Sequence, residues 1–453
     1  MTGGEAHHHE ETPDNWWEQI GEPDDDPYSS VTPEERQESD LEDFWKTRPV
    51  LEHIHTFARS RLVAPWAVFG AVLARVVTAT PPSVQLPPVT GGHASLNLFV
   101  ALVGPSGDGK DAAQKVARDC FDLGGDGFLI APLGSGEGLS HMFMRDTKEG
   151  PEQHNSTALV TIGEIDTLGA LKGRQASTLM PQLRQAAMGE QLGFFYVDTT
   201  RRMMVPEHRY RLCLVAGVQP KRSASILDDA DGGTPQRFVW LPTADPSAPD
   251  VEPEEPEPMR WIRPAWQYAP REYHDQADRY TMRIPDEVKE IIKQALRDRR
   301  RGNGDALDGH ALLTREKVAC ALTILDGRTE MVMADWDLAG VAMRVSDRCR
   351  AACVAAMVTT KREANRAAAI AEGERSVVVR DALDQAKLKR VCGSVRRLLA
   401  RHGPLSSAAL RRQLASENRS HLETAVDHLV ATGDITATDA EYRGQKGKIY
   451  ALS

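Results

Sequence analysis

The apolar positions of this 453-residue chain change period several times, and each change marks a predicted element. In "LEDFWKTRPVLEHIHTFARSRL" (41–62) apolar residues recur at helical spacing. "APWAVFGAVLARVV" (64–77) is the most apolar early stretch and reads as a further helix. Pro81, Pro82, Pro87, Pro88 and Gly91-Gly92 then predict a loop. Residues 96–103 form a short apolar run, fit for a strand buried on both faces, and a helix is predicted from Lys110 to Phe121. "TALVTIGEID" (157–166) predicts a second buried strand, and "ASTLMPQLRQAAM" (176–188) a helix. Residues 191–212 read as two strands around a turn at Thr199–Arg202. "YRLCLVAGVQP" (210–220) and "GGTPQRFVWLP" (232–242) complete this stretch. Strands alternating with helices after a Gly-rich loop predict an α/β fold with a parallel sheet.

The pattern then changes. Residues 243–258 ("TADPSAPDVEPEEPEP") are acidic and Pro-rich, a linker or loop. Residues 259–383 are mostly helical in pattern, including 314–325 and 335–358. Residues 384–453 show three short helices, then strand, basic loop and strand. The expected segments are an acidic arm over 1–38 without fixed structure, helices over 39–90, an α/β core over 91–242, the acidic linker or loop, a helical region to 383 and a small terminal domain.

Charge sharpens this division. The net charge is −10, yet residues 1–43 alone carry −14 and residues 243–258 carry −6. The remainder is therefore +10, which favours polyanion partners. The six cysteines lack C-x-x-C spacing. They read as small buried hydrophobes of a cytoplasmic protein, Cys349 and Cys353 lying one helical turn apart. No secretory leader is evident, and the apolar stretch 64–77 is too short for a membrane span and contains Arg75. His7–His9 are too few to imply a metal site.

The strongest chemical signal is "GPSGDGKD", residues 104–111, which matches G-x-x-x-x-G-K. Gly104, Gly107 and Gly109 supply backbone freedom, and with Ser106 and Asp108 they would form a cradle of N–H groups for phosphate, Pro105 shaping the turn without an N–H of its own. Lys110 would reach the β- and γ-phosphates of ATP. A Ser or Thr normally follows to bind Mg²⁺, and here Asp111 stands there. Asp111 could serve as a Mg²⁺ ligand or turn outward and cap the helix. The strand ending "TIGEID" offers Glu164 at the water-activating position and Asp166 as a second candidate metal ligand, while Gly163 falls where a metal-binding Asp is expected. Gln219 ends another strand and could orient water, and Arg237 could act as an arginine finger in a neighbouring subunit.

Together "GPSGDGKD", "TIGEID", the expected hairpin before "AGVQP" and "GTPQRF" resemble the AAA+ ATPases, specifically replicative-helicase-like P-loop proteins of actinobacterial phages and integrated elements. The resemblance covers about residues 90–245. It implies a helical lid in which "LLTREKVACAL" would present Arg315 to the γ-phosphate. It also implies a ring-forming homo-oligomer working with a primase or other replication protein. Its hairpin would grip DNA, with Arg201 and Arg202 at the tip. The departures at Asp111 and Gly163 make ATP binding the firmer implication and fast hydrolysis the weaker one.

Residues 384–453 carry twelve Lys/Arg against seven Asp/Glu. Ser406 and Ser420 are expected N-caps, and the helix spacing is that of a helix-turn-helix. The ending "DITATDAEYRGQKGKIYAL" resembles the wing of a winged-helix domain. The third helix would start with Arg419, His421 and Glu423, and the wing would carry Arg443, Lys446 and Lys448. Arg419, Arg443, Lys446 and Lys448 are the expected DNA contacts of this domain, although such domains also dock proteins. The expected function is an ATP-dependent DNA-replication protein of a mobile element, with ATP and Mg²⁺ as cofactors. The alternatives are a non-hydrolysing, ATP-switched initiator or adaptor, and a nucleotide-sensing transcriptional regulator.

Overall fold

The computed structural model describes residues 41–125, 127–165, 178–194, 203–229, 232–266, 279–302, 308–442 and 445–453. The acidic arm and the expected hairpin tip with Arg201 and Arg202 lie outside these residues. The chain divides into two compact units, residues 1–357 and 358–453. Among the described residues no helix is long and apolar enough to cross a membrane.

The first unit begins with α1 (Pro49–Ser60) and α2 (Pro65–Thr78). Each opens on proline, whose fixed φ and missing N–H suit the first helical position. There follow β1 (Phe99–Val103), α3 (Lys110–Cys120), β2 (Leu129–Pro132), β3 (Thr157–Ile162), α4 (Leu179–Met188), β4 (Arg211–Val218) and β5 (Phe238–Pro242). The five strands make one parallel sheet in the order β5-β1-β4-β3-β2. The chain is therefore α/β with a central parallel sheet, as its pattern predicts.

Alternation along each strand feeds two cores. Val100 and Leu102 of β1 join Cys213 and Val215 of β4 beneath α1, α2 and α3. Phe99, Ala101 and Val103 join Leu212, Leu214 and Ala216 beneath α4. Both faces of the central strands are thus covered, as a parallel sheet requires. Leu51, Ile54 and Phe57 of α1 and most of α2 lie in the first core, so these helices are part of the α/β unit. The first unit continues through α5 (Asp286–Arg300) and α6 (Asp308–Leu325) into α7 (Met333–His402). Asp335, fully buried, is held by Arg48 at 2.7 Å and by Arg328.

The acidic segment 243–258 is strapped to α1 and the end of that helix. Arg59 pairs with Asp245 at 2.8 Å and Arg61 with Glu255 at 2.7 Å. It is a loop on the first unit, not a spacer between domains. Of the strand pair expected over 191–212, the described residues show a single bridge, Leu192 to Val205, before β4 begins.

α7 is continuous for 70 residues, so the boundary expected near residue 384 falls inside a helix. Residues 361–387 are exposed throughout and lack an apolar stripe, and their many Ala, Arg and Glu residues favour helix without tertiary support. The second unit packs from Val391 onward. It contains α8 (Ser407–Gln413), a 3₁₀ turn (Ser416–His421), α9 (Leu422–Ala431), β6 (Ile435–Tyr442) and β7 (Gln445–Leu452). Its core joins Val391, Val395, Leu399, Leu410, Val426 and Leu429. β7 pairs antiparallel with β6 and with the short strand Leu405–Ser406. Ser406 caps α8 by accepting from Ala409 N at 3.3 Å. Ser420 does not cap α9: it lies inside the 3₁₀ turn, and His421 takes the N-cap position without a side-chain bond.

Candidate functional site

β1 ends at Val103 and the chain turns through residues 104–109 into α3. Gly107 (φ 82°) and Gly109 (φ 75°) adopt the left-handed backbone that side chains oppose. Gly104 is required for space. A Cβ there would lie 1.8 Å from Thr243 Oγ1 and 2.6 Å from Asp108 Oδ2. Thr243, just past β5, donates to the Asp108 carboxylate and so pins the loop to the neighbouring strand. Lys110 opens α3 and is only 7% exposed. Its Nζ donates to Gly104 O at 2.9 Å and to Pro105 O, which bends the ammonium back over the loop.

α3 starts without a side-chain cap. Its first N–H groups therefore meet no side-chain acceptor and give this end of the helix partial positive charge. Asp111 is exposed in that first turn and forms no capping bond. Capping, one of its two expected roles, is thus not seen.

The carboxyl ends of β3 and β4 close on the same place. Gly104 N donates to Val218 O at 3.0 Å, and Ile165 N donates to Gly217 O at 2.9 Å. Gly217 makes this approach possible, because a Cβ there would lie 2.2 Å from Gly163 O and 3.2 Å from Lys110 Cδ. Gln219 Nε2 donates to Glu164 Oε1 at 3.0 Å. Two predicted site residues from different strands are thereby joined. Among the described residues nothing lies within 4 Å of a Cβ at Gly163, so none of them demands a glycine there. Asp166 lies outside the described residues, and among those described no three His, Cys, Asp or Glu side chains cluster as a metal site.

A cavity of about 700 Å³ opens beside the loop. Gly104, Pro105 and Asp108 form one wall, with Trp45, Pro65 and Trp66 among the residues of the rest. The two tryptophan rings lie 4.7 Å apart and pack with Phe44 and Phe69. The lining is mainly apolar, and its size falls in the range of small-ligand sites.

The remaining predicted residues lie elsewhere. Arg237 is half-buried, and its Nη1 donates to Gly232 O at 2.8 Å. Burial and the nearby Arg184 lower its proton affinity, while burial and Arg237 push the His310 imidazole down to about 4. Arg315 is engaged with α7: its Nε and Nη2 donate to Trp336 O at 3.2 and 3.0 Å, and its guanidinium sits 4.1 Å from the Trp336 ring centre. Arg419 is exposed, with Nε donating to Leu414 O at 3.1 Å. Lys446 and Lys448 are exposed on β7 and stand opposite Glu441 and Asp439 of β6. Arg443 lies outside the described residues. All six cysteines are free, and only Cys349 is more than marginally exposed.

Sequence reasoning missed the buried cations that brace the site's strands. Arg211 is fully buried at the start of β4. It donates to Ser95 Oγ at 2.8 Å, Pro81 O at 2.8 Å and Val84 O at 2.6 Å. Lys317 of α6 reaches Asn97 O at 3.0 Å and Ala187 O. An arginine opening an otherwise apolar strand was the available signal. The aromatic cavity wall had none, because Trp45 and Trp66 lie far from the loop in sequence. No protein-family model matches the chain, and no curated protein matches it at a significant level.

Proposed function

We propose that the chain is an ATP-binding, DNA-associated protein of the replicative-helicase or initiator type, with a P-loop NTPase core, a helical lid and a C-terminal winged-helix domain. The observation that carries this reading is the convergence at Lys110. A glycine loop, an uncapped helix start and a buried lysine lie together at the carboxyl ends of parallel strands, where α/β sheets bind their ligands. The donors suit phosphate, and the aromatic, mostly apolar cavity beside them suits a nucleobase.

The cradle would be formed by Gly104, Pro105, Ser106, Gly107, Asp108, Gly109 and Lys110. Lys110 already spends donors on two loop carbonyls and has a third to offer. Mg²⁺ would neutralise phosphate charge, and Asp111 and Asp166 are the acidic residues available to hold it. Gln219 orients the Glu164 carboxylate, which would accept a proton from an attacking water. In a ring of copies, Arg237 would have to leave Gly232 O to reach a neighbour's site.

The non-hydrolysing switch is favoured by one observation. Among the described residues nothing lies within 4 Å of a Cβ at Gly163, where a metal-binding carboxylate is expected, so none of them forces its absence. The two readings separate on ATP turnover with and without single-stranded DNA. DNA-stimulated hydrolysis with strand separation supports the motor. ATP binding without turnover supports the switch. Absence of ATP binding overturns both.

A further inference from the structure

The second unit segregates its charge along the chain. Residues 385–416 hold eight Lys/Arg and no Asp/Glu, whereas residues 417–441 hold six Asp/Glu and one Arg. The fold turns this division into surfaces of opposite sign. At the end of α7, Val391, Val395 and Leu399 face the core. Arg390, Arg397 and Arg401 are exposed, and their spacing of seven and four residues places them on one face, away from that apolar stripe. None of the three forms an ion pair among the described residues. The nearest polar contact is Arg397 Nη2 donating to Ser394 Oγ at 3.2 Å. Arg411 and Arg412 of α8 are also exposed.

The surfaces expected to read DNA have the opposite character. The exposed face of α9 carries Glu423 and Asp427 one turn apart. In the hairpin, Lys446 and Lys448 stand directly across from Glu441 and Asp439, where opposite charges offset each other. A phosphate backbone is drawn to unpaired cations and repelled by carboxylates. Favourable interaction with the helix dipole accounts for a cation in the last turn, such as Arg401. It does not account for Arg390, three turns earlier.

We infer that the second unit binds the sugar-phosphate backbone of nucleic acid through Arg390, Arg397 and Arg401 of α7, and not through α9 and the β6–β7 hairpin. This deepens the DNA half of the proposed function and rests on it. The three guanidiniums span eleven residues of helix, about 16 Å. Phosphates recur about every 3.4 Å of axis on each strand, so several lie within reach. Binding is sequence-independent, because phosphate contacts carry affinity without base readout.

The test is fluorescence anisotropy of the full-length chain with a labelled random-sequence duplex over a range of salt. Each phosphate contact contributes about 0.9 to the slope of log affinity against log salt. The triple variant Arg390→Ala, Arg397→Ala, Arg401→Ala should lower that slope by about 2 to 3 and weaken low-salt binding at least tenfold. The triple lysine variant (R390K, R397K, R401K) should keep most of the affinity, which separates lost charge from lost fold. Lys446→Ala with Lys448→Ala should change affinity less than threefold. A wild-type slope in the alanine triple, or a loss carried by the lysine pair instead, overturns the inference while leaving DNA binding intact. If the wild-type chain binds no duplex even at low salt, the DNA half of the proposed function fails with it. ATP binding at Lys110 is then still read independently.

Discussion

Gly217→Ala should injure the site, because the added methyl meets the backbone of the neighbouring strand end. The new Cβ would lie 2.2 Å from Gly163 O and 3.2 Å from Lys110 Cδ. The first contact is with backbone at the end of β3, which has no rotamer to move aside. Gly163 must shift by roughly 1 Å to restore contact distance, in an interior packed too densely to absorb it. Overpacking of this kind costs about 1–3 kcal/mol. Strain on the Ile165 N to Gly217 O bond adds about 1 kcal/mol, for a total of about 2–4 kcal/mol. Urea unfolding followed by tryptophan fluorescence reads this directly. All eight Trp residues precede residue 358, so the signal reports the first unit alone. The same shift carries Glu164 away from Gln219, so ATP turnover should fall by about 10²-fold where the chain hydrolyses ATP. Gly163→Ala is the matched control: its Cβ meets nothing within 4 Å among the described residues, and stability should change by less than about 0.5 kcal/mol. Equal stability of wild type and Gly217→Ala would refute the close approach of β3 and β4 on which the site is built.

Three further outcomes are expected. Arg211→Met leaves the carbonyls of Pro81 and Val84 without their donor and should cost about 3–5 kcal/mol, read as a lowered Tm; an unchanged Tm would contradict the buried clamp. Burial pushes the Glu316 carboxyl up from its ordinary value near 4.5 to about 7, so the folded chain holds that proton more tightly than the unfolded chain. Its contribution is complete below about pH 4.5 and is lost as pH rises to about 7; Glu316→Gln should be the more stable protein above pH 7 and lose that advantage in acid, and parallel pH profiles would speak against a buried titrating Glu316. Gln219→Ala removes the donor that holds Glu164 at 3.0 Å, so turnover should drop about tenfold or more while ATP affinity stays within about threefold, whereas unaltered turnover would remove Gln219 from the site.

Much of the α/β unit was legible because buried parallel strands are short, apolar and bounded. β1, β3, β4 and β5 all lie within predicted runs. β2 escaped notice although "FLIAPL" (128–133) is an apolar run, because Leu129–Pro132 is short, ends on a proline and is a largely exposed edge strand. The length of α7 was not legible, since residues 361–387 are exposed throughout and carry no helical apolar periodicity. The loop was readable because its glycines and lysine stand at a fixed spacing between an apolar run and a helix pattern. The pairing of Glu164 with Gln219 depended on strand order, and the cavity wall on distant tryptophans, neither of which spacing encodes. The contact of Arg315 Nε and Nη2 with Trp336 O likewise depends on how α6 and α7 pack, which spacing does not encode.

The central claim is that Lys110 and its loop hold the phosphates of ATP. Isothermal titration of the wild-type chain and of Lys110→Ala with ATP and Mg²⁺ tests it most directly. Wild-type binding that weakens at least 100-fold in the variant, with both proteins folded by circular dichroism, is the expected result; about 3 kcal/mol of lost charge-assisted contact corresponds to that factor. Equal ATP affinity in the two proteins, or no binding by either, would contradict it.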